Sequence, residues 1–365
     1  MKRLIILALL LAAHSSLSAE QNQPHASAES HGAAAFLQQL DSLRENANIP
    51  GMSVVVVEDR AIVLAAGLGY ADVEEGIPAA AETPYDIASV AKPLSAVVAL
   101  RLVEAGVLDL DRPLVDYSEW EGFCTDFSRQ PSIFAEEHRC QPTNHTLRHL
   151  LSHTATGTPG TRFSYNPILY SWASRPIMAV TDTPFSALVE RYVFIPADMR
   201  NSARKHRDLP LREDLVERLA QPYRIESSGA TQRAPARPPQ GDGAAGGVVS
   251  TALDLAKFDI ALDKGVLIST ESRAGMMAPT RATNGEAVPY GLGWYVQEYE
   301  GHTLIWHSGW WEDAYSALYL KIPTLNLTLI VLANSEGVWW NNPLNRAGVE
   351  RSQFAQAFLS AFVDR

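Results

Sequence analysis

The alternation of apolar and polar residues predicts β-strands near both ends of the chain. Residues 52–57 form a β-branched run, the polar residues 58–60 suit a hairpin turn, and residues 61–70 predict the partner strand. Four further β-rich runs lie in the C-terminal third, at residues 291–298, 303–307, 314–322 and 327–333. The simplest architecture is one sheet assembled from both ends of the chain and covered by helices.

Helical spacing is found between these strands and beside them. Residues 89–105 are apolar around almost the whole circumference of a helix, which is typical of a buried helix. Gly106 stands where a left-handed residue would end it. Thr251 and Asp254 have the spacing of a capping box at the start of a helix over 252–263. Further helices are predicted at residues 35–46, 147–153, 185–192 and 346–363.

The order of these elements divides the chain into two units. Residues 34–115 and 245–365 carry the predicted strands and indicate a domain of the α+β class. Residues 116–244 contain helical and irregular segments rich in Pro and Arg, and they predict an inserted all-helical lobe.

The N-terminal residues have the layout of a secretory signal peptide. A basic start is followed by an apolar run over residues 4–13 and by small residues up to Ala19. The run is too short to cross a membrane, which takes about 20 residues. We therefore expect a signal peptide over 1–19, cleavage near Ala19, a flexible leader over 20–33, and a periplasmic or secreted protein without a membrane span after cleavage.

Composition indicates a globular protein with an acidic surface. Hydrophobic residues make up 46% and charged residues 19% of the chain, and the formal net charge is −11. Removal of Lys2 and Arg3 with the signal peptide leaves 28 basic against 41 acidic residues, a charge of −13. This charge argues against nucleic acid and anionic membranes as partners. The expected partner is a small-molecule or peptide-like substrate. The sequence does not indicate an oligomeric state.

Two cysteines, Cys124 and Cys140, lie 16 positions apart. In an oxidising compartment they are expected to form a disulfide, and the alternative is a pair of free buried thiols.

Ser89 and Lys92 are a candidate catalytic pair at the start of the buried helix. Side chains three positions apart on a helix are neighbours. The lysine ammonium can stabilise an alkoxide, or its neutral amine can accept the serine proton if burial lowers its pKa. The alternative is a capping serine followed by a surface lysine. An unpaired lysine on a helix apolar all round is costly, which favours the catalytic pair.

Seven segments in order resemble the serine β-lactamase and penicillin-binding-protein superfamily, in particular its class C-like branch, which also holds D,D-peptidases, D-aminopeptidases and esterases. These segments are residues 86–93, 102–111, 146–154, 160–166, 245–255, 290–294 and 307–309. The resemblance implies a β-lactamase/transpeptidase-like α+β fold with an antiparallel sheet, and an acyl-enzyme hydrolase that needs no metal or cofactor.

The resemblance also implies roles for particular residues. Ser89 would be the nucleophile and Lys92 its activator. Tyr165 would move a proton, as a phenolate or through Lys92, and His307 would begin the third catalytic motif. The backbone N–H groups of Ser89 and Trp310 would form the oxyanion hole, in which two donors stabilise a tetrahedral intermediate.

The expected substrate contacts come from the same motifs. Ser308 and Gly309 follow His307, and Trp311 is expected to form a substrate wall.

Two departures from the family pattern bear on the substrate. The family has Tyr-x-Asn, whereas Tyr165 is followed by Asn166 and then Pro167, so the substrate-binding amide is either shifted to Asn166 or missing. A histidine at 307 replaces a lysine and is mostly neutral at pH 7. Both departures predict an ester or amide substrate in place of a β-lactam, and the alternative is a β-lactamase or D,D-peptidase proper.

Two alternatives lead away from this hypothesis. His145, His149 and His153 have helical spacing that suits a zinc site, but no acidic residue completes a metalloprotease motif, so no metal is predicted. The chain could also be a catalytically silent protein that binds cell-wall fragments. The presence of Ser89 and Lys92 favours the enzyme.

Overall fold

The computed structural model describes residues 25–117, 119–343 and 345–363. The predicted signal peptide lies outside them. Helix α1 begins at His25, so the part of the predicted leader from residue 25 to 33 is helical where a flexible segment was expected. Among the described residues, no helix combines the length and the apolar character that crossing a membrane requires.

The described residues form eleven α-helices and twelve strands. The helices are α1 His25–Asn46, α2 Ala91–Glu104, α3 Trp120–Phe127, α4 Leu147–Leu151, α5 Pro167–Trp172, α6 Ser174–Thr181, α7 Phe185–Val189, α8 Glu213–Val216, α9 Ala252–Asp263, α10 Thr270–Met277 and α11 Gln353–Phe362. The strands are β1 Gly51–Glu58, β2 Ala61–Asp72, β3 Ile77–Pro78, β4 Tyr85–Asp86, β5 Ala203–Arg204, β6 Tyr223–Ile225, β7 Thr231–Arg233, β8 Val248–Ser250, β9 Tyr295–Tyr299, β10 His302–Trp311, β11 Tyr315–Ile322 and β12 Leu327–Ala333.

An antiparallel sheet of seven strands joins the two ends of the chain in the order β3-β2-β1-β12-β11-β10-β9. Strand β1 is buried on both faces. Val54 and Val56 pack into the cluster that contains the aromatic side chains of α1 and α11, while Val55 and Val57 pack with α2 and α9. Side chains alternate between the faces of a strand, so a continuous β-branched run suits a sheet with helices on both sides.

The α+β fold with an antiparallel sheet built from both chain ends is confirmed. Residues 116–244, which were predicted to form an all-helical lobe, also contain strands in the structure. Strand β5 pairs with β8, whose other neighbour is β4, and β6 pairs with β7 in a hairpin. These strands are two or three residues long, too short to produce an alternating pattern in the sequence.

Candidate active site

Ser89 lies in a short 3₁₀ turn, Ala88–Val90, that leads directly into α2. Ala88 has a φ of 48°, a left-handed conformation that is costly for a residue with a Cβ. The backbone N–H of Ala88 donates to Oδ1 of Asp86 at 3.0 Å, which stabilises this conformation. Backbone strain next to a reactive side chain is a common feature of functional sites.

Ser89, Lys92 and Tyr165 meet at one oxygen atom. Lys92 Nζ lies 2.6 Å from Ser89 Oγ, and the Tyr165 hydroxyl donates to the same oxygen at 3.0 Å. The first pair follows from the helical spacing, whereas Tyr165 arrives from the segment just before α5. The three side chains that the resemblance nominates for proton transfer are therefore in hydrogen-bond contact.

Burial determines the charge of Lys92. The side chain is fully buried, and its Nζ also contacts the backbone oxygen of Ala245 at 3.3 Å. The rings of Tyr165 and Tyr170 lie 5.0 Å and 5.5 Å away, and no described carboxylate forms an ion pair with it. Desolvation lowers the pKa of Lys92 well below its ordinary value, so the neutral amine is available to accept a proton.

The Tyr165 hydroxyl is a proton donor in this geometry. Burial raises the pKa of Tyr165, and the hydrogen bond to Ser89 lowers it by less. The phenol therefore stays protonated, which disfavours the phenolate alternative and leaves proton transfer through Lys92.

A cleft of about 650 Å³ opens at Ser89. Aromatic side chains form part of its walls, among them Tyr165, Tyr295, Trp310, Trp311 and Trp339, and Ser308 also lines it. Trp310 and Trp339 stack with ring centroids 4.4 Å apart. The structure thus places Ser308 and Trp311, two of the expected substrate contacts, beside the nucleophile.

Gly309 brings strand β10 against the Ser89 turn. A Cβ atom at this position would lie 2.3 Å from the backbone oxygen of Ile87, so a side chain cannot be accommodated there. Close approach explains the glycine better than substrate contact does. It also brings strand β10, which continues to Trp310, against the turn that carries Ser89, while the oxyanion hole itself stays a prediction.

His307 does not contact Ser89. Its ring is buried, with Nδ1 2.7 Å from the Ser308 carbonyl oxygen and Nε2 2.9 Å from the Tyr290 hydroxyl. Because a carbonyl only accepts, Nδ1 carries the proton and Nε2 accepts from Tyr290. Burial lowers the pKa of His307 well below its usual value, with a smaller effect from Lys92. The histidine that was expected to be catalytic is therefore buried and neutral, and it forms no hydrogen bond with Ser89 in the described structure.

Asn166 does not replace the missing substrate amide. It is buried, its Oδ1 accepts the Leu169 N–H at 3.1 Å as the N-cap of α5, and its Nδ2 donates to Phe134 O at 2.7 Å. The predicted substrate contact is thus a structural cap. Pro167, the first residue of α5, faces the cleft in its place.

Asp86 is a site residue that the sequence analysis did not identify. Its Oδ1 accepts from Ala88 N–H and from Trp311 Nε1 at 2.8 Å, and its Oδ2 forms an ion pair with Lys205 at 3.0 Å. One carboxylate thus joins the Ser89 turn to the aromatic wall. The sequence offered one signal for this role, namely an acidic residue at the first position of the segment that contains Ser89 and Lys92.

Among the remaining candidates, Cys124, Cys140 and His149 do not line the described cleft, whereas the ring of His153 packs against Tyr165 with centroids 4.2 Å apart. Cys124 and Cys140 form a disulfide with an S–S distance of 2.05 Å. His149 caps α4 through Thr146, and Nδ1 of His153 accepts the N–H of Asn166. In the described part of the chain, no set of three or more His, Cys, Asp or Glu side chains is arranged to hold a metal ion.

Comparison with known proteins identifies the family of this chain. The family described as Beta-lactamase matches residues 34–347, which is most of the chain. The chain belongs to the beta-lactamase family. A penicillin-binding protein of Bacillus subtilis (strain 168) is 25% identical to it over 338 residues, which cover 85% of this chain and 70% of the relative. The curated relatives it matches are longer, and the chain spans between 62% and 70% of their length.

Solved structures show the same beta-lactamase-family fold. The octameric penicillin-binding protein homologue from Pyrococcus abyssi superposes with a TM-score of 0.72 at 23% identity, covering 90% of this chain and 77% of that chain. The D-amino acid amidase from Ochrobactrum anthropi SV3, in complex with L-phenylalanine amide, gives a TM-score of 0.71 at 20% identity, covering 92% and 99%.

Proposed function

We propose that this chain is an exported serine hydrolase that forms an acyl-enzyme on Ser89 and cleaves an ester or an amide. One observation carries the proposal: the amine of a fully buried, unpaired Lys92 lies 2.6 Å from the Ser89 hydroxyl oxygen. This is the geometry of a nucleophile and its base. Family membership and the resemblance to an amidase support the same reaction class.

In the proposed acylation step, neutral Lys92 accepts the Ser89 proton while Oγ attacks the substrate carbonyl carbon. The N–H groups of Ser89 and Trp310 stabilise the negative charge that develops on the carbonyl oxygen. The tetrahedral intermediate then collapses, and the bond to the leaving oxygen or nitrogen breaks. Lys92 returns the proton to that atom through the Tyr165 hydroxyl, so the lysine is neutral again when the acyl-enzyme has formed.

Deacylation repeats these steps with water. Lys92 accepts a proton from water as the water attacks the acyl carbon, and the proton returns to Ser89 Oγ when the acid is released. Neither His307 nor Asn166 lines the described cleft, so the third and second motifs do not offer the two contacts by which they would hold a β-lactam. We therefore expect esters and small amides to turn over faster than β-lactams, which should acylate Ser89 and leave it slowly.

Export is proposed from the predicted signal peptide and supported by the disulfide, since such bonds persist in oxidising compartments. Cleavage near Ala19 would leave α1, which begins at His25, intact. Sequencing the N-terminus of the protein recovered from the periplasm or medium should find a start near Glu20. An uncleaved N-terminus in the cytoplasm would contradict export.

The nucleophile is tested by labelling the mature protein with a fluorophosphonate. The wild type should gain the mass of one adduct, and Ser89→Ala should gain none and lose about 10⁶-fold in ester turnover. Ser228→Ala, which changes an exposed serine, is the matched control and should behave as the wild type. Turnover of p-nitrophenyl esters, D-amino amides and nitrocefin identifies the substrate class. Ser89→Ala retaining a tenth of the wild-type activity would rule out the assignment.

A further inference from the structure

A half-buried arginine lies in the wall of the Ser89 cleft. Arg237 follows strand β7, and its guanidinium carbon is 4.1 Å from the centroid of the Trp311 ring. Its Nη1 donates to the backbone oxygen of Glu312 at 3.2 Å. Among the described residues, no carboxylate forms an ion pair with it. The guanidinium is therefore held in place while its charge is not neutralised by the protein.

The aromatic surface beneath this arginine is fixed relative to the nucleophile. Trp311 donates its indole N–H to Asp86 Oδ1 at 2.8 Å. The same oxygen accepts the backbone N–H of Ala88, the residue before Ser89, at 3.0 Å. Arg237 is thus connected to the Ser89 turn through one indole ring and one carboxylate.

Arg237 is the basic side chain among the described residues that line this cleft. Burial raises the pKa of Tyr165 and of Tyr295, so both phenols stay neutral. Glu312 contributes its backbone oxygen to Arg237, and its own side chain is exposed to solvent. A guanidinium keeps its charge throughout the physiological pH range, and its planar fork fits a carboxylate with two parallel hydrogen bonds.

We infer that Arg237 binds a carboxylate of the substrate, so that the substrate is an ester or amide whose acyl part ends in a carboxylate beyond an apolar segment. This inference rests on the proposed acyl hydrolysis at Ser89. The positive charge that binds the substrate is then that of Arg237, which lies against Trp311 in the wall of the cleft. His307, the first residue of the third motif, does not supply it.

A matched pair of substrates tests this inference. The mono-p-nitrophenyl ester of adipic acid carries a free carboxylate, and its methyl-capped counterpart has the same chain without the charge. The corresponding esters of glutaric and suberic acid vary the distance between the ester carbonyl and the free carboxylate. The wild type should prefer the anionic member in kcat/KM at one or more spacings. Arg237→Gln should lower the ratio of anionic to neutral kcat/KM by about ten- to a hundredfold, the range of charge-assisted hydrogen bonds.

Two further variants complete the design. Arg237→Lys keeps the charge without the fork, and it should give an intermediate ratio. Arg175→Gln is the control, because Arg175 is an exposed arginine in a neighbouring cavity. It should leave the ratio unchanged. A ratio in Arg237→Gln within twofold of the wild type at every spacing overturns the inference.

A binding measurement separates this inference from the proposed hydrolysis. 4-Phenylbutyrate is titrated against the full protein, and binding is followed by tryptophan fluorescence, since Trp311 lies under Arg237. The Kd should rise at least tenfold in Arg237→Gln, while 4-phenylbutyramide should bind both proteins alike. An equal Kd for phenylbutyrate refutes the anion site even if esters turn over. If the wild type hydrolyses none of the esters but still binds phenylbutyrate at least tenfold more tightly than Arg237→Gln does, the hydrolase proposal is refuted and the anion site is not.

Discussion

Replacement of Lys92 by methionine separates catalysis from structure. Methionine nearly matches the length of the lysine side chain and tolerates a buried apolar site, but it has no proton acceptor. In the described structure the Lys92 amine is the basic group in contact with Ser89 Oγ. Lys92→Met therefore removes the base while the serine keeps its hydrogen bond from Tyr165.

The size of the effect follows from the two functions of that amine. General-base catalysis contributes about 10²–10⁴ in rate, and a preorganised positive charge at the reacting oxygen contributes a further factor of about 10²–10³. Together these predict a loss in kcat/KM of about 10⁴-fold or more, which corresponds to roughly 5 kcal/mol of transition-state stabilisation. Initial rates of p-nitrophenyl ester hydrolysis measure it, with Lys264→Met at an exposed lysine as the control.

The same variant should not lose stability. Because burial lowers the pKa of Lys92, the folded chain binds fewer protons than the unfolded chain between that lowered pKa and 10.5. Wild-type stability therefore rises with pH through this window, and Lys92→Met lacks this contribution. Urea unfolding at pH 8 should give Lys92→Met a larger free energy of unfolding than the wild type. At pH 10 the difference between the two proteins should be smaller. A fall in kcat/KM of less than tenfold, or an advantage that grows with pH, would refute this account of Lys92.

Three other predictions address the pH profile, Tyr165 and the disulfide. The acid limb of kcat/KM against pH should have its midpoint well below 10.5, because burial lowers the pKa of Lys92; a midpoint near 10.5 would contradict a buried base. Tyr165→Phe should lower ester kcat/KM by about 10²-fold with little change in urea unfolding, since it removes one donor to the reacting oxygen; unchanged turnover would exclude its role. Thiol titration of the denatured, unreduced protein should find no free thiol at Cys124 or Cys140, and replacing both with serine should lower the free energy of unfolding by about 3 kcal/mol.

Local patterns in the sequence were sufficient for the elements with strong periodicity. Helix α9 over 252–263 and strand β12 over 327–333 have the predicted bounds. The Thr251 side chain accepts the N–H of Asp254 at 3.0 Å, as the capping pattern indicated. Gly106 is left-handed, with a φ of 68°. Each of these features depends on residues a few positions apart, and such short-range interactions are encoded directly in the order of side chains.

Local sequence patterns predicted only part of the candidate site. The contact between Ser89 and Lys92 follows from helical spacing, since side chains three positions apart share one face of a helix. Tyr165 was nominated by family resemblance, and its contact with Ser89 joins residues 76 positions apart. Spacing along the chain contains no information about a contact of that kind.

Tertiary structure alone decided which side chains face the cleft. His307 and Asn166 stand in catalytic motifs, but burial and local hydrogen bonds direct both into the protein interior. Asp86 begins one of the family-like segments and Arg237 stands in a stretch rich in Pro and Arg, but neither position predicts the contact with Trp311 that each side chain makes in the structure. The sequence by itself determined the strongly periodic elements, the proximity of Ser89 and Lys92, and the family. The short strands β5 to β7, and the direction and charge state of each side chain, depended on packing between distant segments, which sets burial, and burial shifts the pKa.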